Sequence, residues 1–459
     1  MTNLDPTDWS AFRREAHAAL DACIDHLRGV AAGPVWRPVP DAVKAQFNAP
    51  LPRAGTPLEQ VLAECATAVM PYATGNLHPR FFGWVHGAGT PAGMLAEMIA
   101  ATLNANVGGR DHGAIYIERQ VIDWCRQVFG LPEGSSGVLT VGTSMASVIA
   151  IAAARQRAGA GDLTAYCSSQ VHVALKKAFK LMGFAADALR VIPAEADFTL
   201  SPAKLAAAVA QDRAAGRQPF LLIGTAGTVN TGAFDDLEAL AEIAARERLW
   251  FHVDGAFGAW AILTAPDLVR GIARADSLAF DFHKWLSVPY DAGCVLVRDG
   301  AAHRATFAEQ PDYLARGQAL AGGDPWASDL GIDLSRGNRA LKVWMTLKHH
   351  GLDRLGAMIA KNCAAARHLA EGVARSAVFA LAAPVTLNIC CFRLKGEGSE
   401  DDDRRIAAIV AGLQESGIAA PSTTRIGGRL CIRVAILNHR TEPADLDLTL
   451  RAAEDLARG

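Results

Sequence analysis

Two short stretches hold the residue types that could do chemistry together. The first is Trp250-Phe251-His252-Val253-Asp254-Gly255-Ala256, and about thirty positions on comes Asp281-Phe282-His283-Lys284. Trp250 to Val253 reads as a short buried strand, apolar and closed by a β-branched residue, with Asp254 at its end. Ser277-Leu278-Ala279-Phe280 reads as a second strand that delivers His283 and Lys284 to the same edge. In a parallel α/β sheet, ligands bind at the carboxyl ends of strands, so a carboxylate and an amine there face a site.

That pair suits pyridoxal phosphate. Its aldehyde condenses with a lysine amine, and its ring nitrogen needs an acidic partner to stay protonated and draw electrons from a bound amino acid. Either residue alone reads more simply as an ion pair or a solvated strand end. Asp254, Lys284 and the preceding His283 together point to the cofactor.

HVDGAFGAWA, followed by ADSLAFDFHKWLSVPYDAG, closely resembles the cofactor segment of the pyridoxal-phosphate-dependent group II amino-acid decarboxylases, among them those acting on aromatic amino acids, histidine, glutamate and diaminobutyrate. The resemblance runs from about Leu77 to Asp455. It implies a fold-type I architecture: a mostly parallel sheet of the seven-stranded type flanked by helices, a smaller C-terminal α/β domain and an N-terminal helical arm. The boundaries expected are 1–75 for the arm, 76–336 for the large cofactor-binding domain and 337–459 for the small domain. Lys284 would hold the cofactor and Asp254 its pyridinium nitrogen, with Ala256 beside it.

A helix N-terminus must hold the phosphate. Val138-Leu139-Thr140 reads as a strand, Val141-Gly142-Thr143-Ser144 as a turn, and Met145 to Arg157 as a helix whose free N–H groups and dipole favour an anion. An N-capped helix without ligand would look the same. In the family a T-S-G-G-T-E-A-N-like run binds the phosphate; here it is Thr140-Val141-Gly142-Thr143-Ser144-Met145-Ala146-Ser147, with Met145 and Thr143 departing from it. Thr143, Ser144 and His283 are the expected phosphate contacts. The resemblance also implies that His172 stacks on the ring and aids proton transfer, and that Thr228, in the turn Thr225-Ala226-Gly227-Thr228, lies near the cofactor. Without it, His172 reads as a cap or surface residue.

Substrate contacts are expected from His78 and Phe81, in His78-Pro79-Arg80-Phe81-Phe82-Gly83, and from Asn106 and Arg110 in the polar loop 106–113, which reads equally well as a solvated turn. Arg433 sits mid-strand, where a buried charge needs a partner. It aligns with a family arginine near the active site, although a structural ion pair explains it as well. Asn104, Asn106 and Gly108 stand where aromatic-amino-acid decarboxylases carry bulkier groups. They favour a polar or acidic side chain, with Arg110 as its partner. The family's loop tyrosine, which protonates the carbanion, aligns with Pro325-Trp326-Ala327-Ser328, where no tyrosine is found; Tyr313 lies upstream. An amine product is expected. The missing tyrosine opens an oxidative route to an aldehyde or another Cα cleavage, and a silent homologue that keeps the fold is the third alternative.

The remaining chain bounds these readings. At 459 residues and 51% hydrophobic content, the sequence can build more than one core. A formal net charge of −2 without a like-charge block gives no reason to expect nucleic acid or a membrane surface. The N-terminus lacks a signal-peptide pattern, and the nine cysteines show no CxxC pair, so no metal site is expected and the cytoplasm is the expected compartment. Residues 7–28 form an amphipathic helix and 33–57 a Pro-rich arm, which must bury themselves elsewhere. Exchange across a homodimer with shared sites, as the family implies, and packing on the same subunit both satisfy that need.

Overall fold

The computed structural model describes residues 3–309, 312–314, 316–396 and 399–458. Among these lie twelve strands: Phe81–Phe82 (β1), Ser136–Thr140 (β2), Leu163–Ser168 (β3), Leu189–Ile192 (β4), Gln218–Thr225 (β5), Trp250–Asp254 (β6), Ser277–Asp281 (β7), Gly293–Val297 (β8), Phe379–Leu381 (β9), Ile389–Leu394 (β10), Ala420–Ile426 (β11) and Arg429–Ala435 (β12). They form a seven-stranded sheet, β2-β8-β7-β6-β5-β3-β4, and a five-stranded sheet, β1-β11-β12-β10-β9.

The large sheet is parallel except for β8, which runs antiparallel to both β2 and β7. Its central strands β6 and β7 are buried at every position. Helices cover both faces, so these strands read as continuous apolar runs rather than alternating ones. This is the fold-type I arrangement. Register then does the positioning. Thr225 pairs with Asp254, Asp254 with Ala279, and Gly293 of β8 sits opposite both Thr140 and Asp281. The carboxyl ends of β2, β5, β6 and β7 therefore share one edge. Gly293 is required there, because a Cβ would lie 2.4 Å from the Gly142 Cα.

The small sheet is antiparallel except for β1, which joins β11 in parallel. Its first strand is thus drawn from a segment far upstream of the rest. Three helices, the second half of Arg339–Arg375 with Glu400–Glu415 and Pro443–Arg458, cover it around Phe82, Leu369, Phe392 and Leu446. Gly351, at φ 72°, bends the long helix. Just ahead of β10, Asn388 donates its side-chain amide to the Ile436 carbonyl and accepts the Ile436 N–H on its own carbonyl.

The N-terminal helix spans Trp9–Gly29, capped by Asp8, and buries none of its residues in the chain. Trp9 and Ile24 stay exposed on its apolar face. The following stretch contains a short helix, Asp41–Gln46, where only an extended arm is expected. Among the described residues no helix is long and apolar enough to cross a membrane.

One buried ion pair ties the site's edge strand to its surroundings. Arg336 grips Glu118 through both guanidinium arms, at 2.6 and 3.0 Å, and also donates to the carbonyls of Val107 and Leu139. Glu118 in turn accepts the Leu139 N–H at 3.1 Å. Removing one member leaves a buried, uncompensated charge. Glu118→Ala should destabilise the protein by about 3–5 kcal/mol in urea unfolding; a loss below about 1 kcal/mol would show that water reaches Arg336 instead.

Candidate active site

At the shared strand edge lies a cavity of about 540 Å³, large enough for a cofactor and a small substrate. Asp254, Ala256, His172, Thr143, Ser144, His283 and Lys284 all line it. The sequence scatters these residues over more than a hundred positions, and the sheet register brings them together.

Asp254 is buried, and its Oδ1 accepts the Ala256 N–H at 3.1 Å. Burial pushes its carboxyl pKa up; Lys284 and His172 oppose that. A cationic ring nitrogen placed beside it would hold it ionised. His172 caps the helix Val173–Leu181 by accepting the Ala174 N–H on Nδ1, which leaves Nε2 as the protonated nitrogen of the neutral ring. Burial holds its pKa below 6.5, with Asp254 opposing and Lys284 assisting. His283 accepts the Ala292 N–H on Nδ1, and burial keeps its pKa low as well. The Tyr290 ring covers it at a centroid distance of 4.3 Å.

The helix Thr143–Ala158 starts two residues earlier than its sequence pattern suggests, and its N-terminus points into the cavity. Thr143 Oγ1 is buried without a hydrogen-bond partner. An orphaned hydroxyl at the positive end of a sixteen-residue helix suits a phosphate oxygen. With a buried carboxylate and a lysine in the same cavity, this donor set fits pyridoxal phosphate.

Other expected residues lie elsewhere. Thr228 is buried, but its hydroxyl meets Thr231 Oγ1 and accepts the Ala233 N–H, so it braces the turn while Gly227 and Val229 reach the cavity. His78 is buried beneath the N-terminal segment, where Nε2 meets the Gly33 carbonyl and Nδ1 accepts the Arg80 N–H. Phe81 lies behind the wall and stacks on His86 at 5.9 Å. Asn106 caps its own loop, accepting N–H groups of Gly108 and Arg336. Arg110 lies over the Trp326 ring at 5.1 Å. Arg433 is 3% exposed and has no acidic partner among the described residues; it donates to the carbonyls of Val229, Asn230 and Trp84, and burial lowers its pKa to about 10. The side chain of Tyr313 lies outside the described part.

Sequence reasoning passed over Asp281, Trp84, His86 and Tyr290, all of which line the cavity. Asp281 ends β7 as Asp254 ends β6, and that parallel was the available signal. Trp84 and His86 follow the Phe81-Phe82 pair by two to four positions, but a turn with Trp84 at φ 51° has no periodicity to reveal it.

A model of the pyridoxal-dependent decarboxylase conserved domain matches residues 40–395. The chain is 31% identical over 447 residues to an aromatic-L-amino-acid decarboxylase of Bacillus atrophaeus, covering 95% of this chain and 93% of the relative. Among solved structures, the Oryza sativa protein TDC with PLP and tryptamine superposes with a TM-score of 0.92 at 27% identity, over 99% of both chains. A 4-hydroxyphenylacetaldehyde synthase of Rhodiola rosea superposes at 0.88 and 27% identity, again over 99% of each.

Thr143→Val keeps the shape and removes the orphaned hydroxyl. It should weaken retention of pyridoxal phosphate by roughly 10- to 100-fold, the worth of a hydrogen bond to a charged group. The cofactor-free protein should melt no lower than wild type. Unchanged retention in an absorbance titration would place the phosphate elsewhere.

Proposed function

Because the chain belongs to the pyridoxal-dependent decarboxylases and is a pyridoxal-phosphate-dependent lyase, we propose that it removes the α-carboxylate of an L-amino acid and releases the amine. The observation that carries this reading is the placing of Asp254, Lys284 and the Thr143 helix N-terminus on one cavity. When bound, pyridoxal phosphate supplies an electron sink for the pair left behind by departing CO₂.

The chain's own groups then have distinct tasks. Lys284 holds the cofactor and yields to the substrate amine. Asp254 keeps the ring nitrogen protonated. Thr143, Ser144 and His283 hold the phosphate, and Ala256 offers a small wall beside the ring. His172, placed by its cap, covers the ring, and we assign it to deliver a proton to Cα as the imidazolium, which returns to the neutral ring when it gives up its Nε2 proton.

For the side chain we favour a polar or acidic one. Asn104 and Asn106 are exposed, and neither they nor Arg110 reach the cavity of their own chain. They serve as substrate contacts only if the loop of a second copy closes the cavity mouth. A homodimer with shared sites would also cover the exposed Leu95, Met98 and Leu103 of the helix Pro91–Leu103, and Trp84 and Tyr290, which are 58% and 48% exposed at the rim. His78, Phe81 and Arg433 then support substrate binding from behind the wall rather than by touch. All nine cysteines are free thiols, in keeping with a reducing cytoplasm.

A second reading rests on Trp326. Where a loop tyrosine is expected, Trp326 is 2% exposed and donates to the Gly322 carbonyl, so 325–328 offers no phenol. Without a proton donor there, oxygen would serve as oxidant and water as the source of the carbonyl oxygen, so that aldehyde, ammonia and peroxide would replace the amine beside CO₂. The resemblance to an aldehyde synthase supports this alternative. A silent homologue would fail to form a visible absorbance band with the cofactor.

Mass spectrometry of products from pooled L-amino acids, in air and without oxygen, separates these outcomes. We expect an amine under both conditions; an aldehyde with ammonia and peroxide, in air only, would establish the oxidative route. Tyrosine, DOPA or tryptophan as best substrate would refute the polar preference. Turnover should also rise as pH falls below 7, because the His172 pKa is held under its ordinary value and the donating imidazolium grows only towards acid. A rate that stays flat or falls over that range would remove His172 from that role.

A further inference from the structure

Asp281 is a buried carboxylate for which the roles above have no use. Both of its oxygens are engaged. Oδ1 accepts the Thr143 N–H at 2.7 Å, and Oδ2 faces Lys284 Nζ at 2.8 Å. His283 Nε2 stands 3.7 Å from Oδ2. One carboxylate therefore spans the two points at which the cofactor would be held, the opening N–H of the phosphate helix and the lysine amine. Gly293 of β8 leaves the room it occupies, since a Cβ there would lie 2.7 Å from Oδ1.

Two consequences follow for an arriving phosphate ester. Its anionic end meets a negative charge already seated at the helix N-terminus, in surroundings that screen charge poorly. Its aldehyde must then take Lys284 out of an ion pair, leaving a buried carboxylate with His283 as the nearest cationic candidate. A buried charge that loses its partner is strongly disfavoured.

We propose that Asp281 is a built-in restraint on cofactor loading, holding the phosphate turn and Lys284 together in the cofactor-free protein and loosening the grip on pyridoxal phosphate. This inference deepens the reading of the cavity as a pyridoxal-phosphate site and rests on it. Asp281 is a positioning residue here, acting through Thr143 and Lys284. Its pKa lies below the ordinary carboxylate value, as burial is outweighed by Lys284, His283 and the Thr143 N–H.

Asp281→Asn keeps an oxygen for the Thr143 N–H and removes the charge; Asp281→Ser removes the charge with less bulk, should the first variant fail to fold. Cofactor-free wild type and both variants would be titrated with pyridoxal phosphate by visible absorbance, and with inorganic phosphate as competitor. Removal of the charge should tighten pyridoxal phosphate tenfold or more and make inorganic phosphate compete tenfold better. Affinities unchanged within twofold, or weaker in both variants, would overturn the restraint. If wild type itself formed no visible band, the cofactor reading and this inference would fall together. A normal wild-type band with unchanged variants would remove the inference alone.

Discussion

Everything at the site depends on how β8 is threaded between β2 and β7. Any side chain on β8 at the shared edge would push the turn after β2 away from the end of β7. Because β8 runs the other way, its first residue, Gly293, faces Thr140 on one side and Asp281 on the other. The phosphate helix and the lysine segment are thereby fixed within hydrogen-bonding reach of each other. Glycine at that point is a geometric necessity, and Glu118 with Arg336 secures β2 from the opposite flank.

The electrostatics of the cavity are organised by burial more than by exposed charge. Asp254, Asp281 and His283 are buried while His172 stands at the exposed side of the cavity, and each is held by a specific backbone N–H. These bonds fix orientation and tautomer before any ligand arrives, so little reorganisation remains for the reaction itself. Thr143 Oγ1 is the exception, a donor left without a partner among groups that are otherwise satisfied.

Much of this was legible in the sequence, for physical reasons. Buried parallel strands ending in Asp254 and leading to Lys284 announce themselves through apolar runs, and the helix after Thr143 through its small-residue turn. Asp281 could be seen to end its strand as Asp254 does, but its contacts with Thr143 and Lys284 depend on a register that no local pattern contains. Thr228 and His78 were misplaced because a motif gives position along the chain but not the direction of a side chain. Asn106 and Arg110 show a related limit: a loop can be read as polar, yet the surface it faces belongs to assembly.

Arg433 carries a mechanical implication. Rooted in β12, its guanidinium reaches the carbonyls of Val229 and Asn230 on one wall of the cavity and of Trp84 on another. The carboxy-terminal sheet is thus riveted to both walls by a cation whose release would strand a charge in a dry interior. Such a unit cannot swing open like a hinged cover while the pocket keeps its shape. Traffic of small molecules must instead pass the rim of the cavity that Trp84 and Tyr290 line.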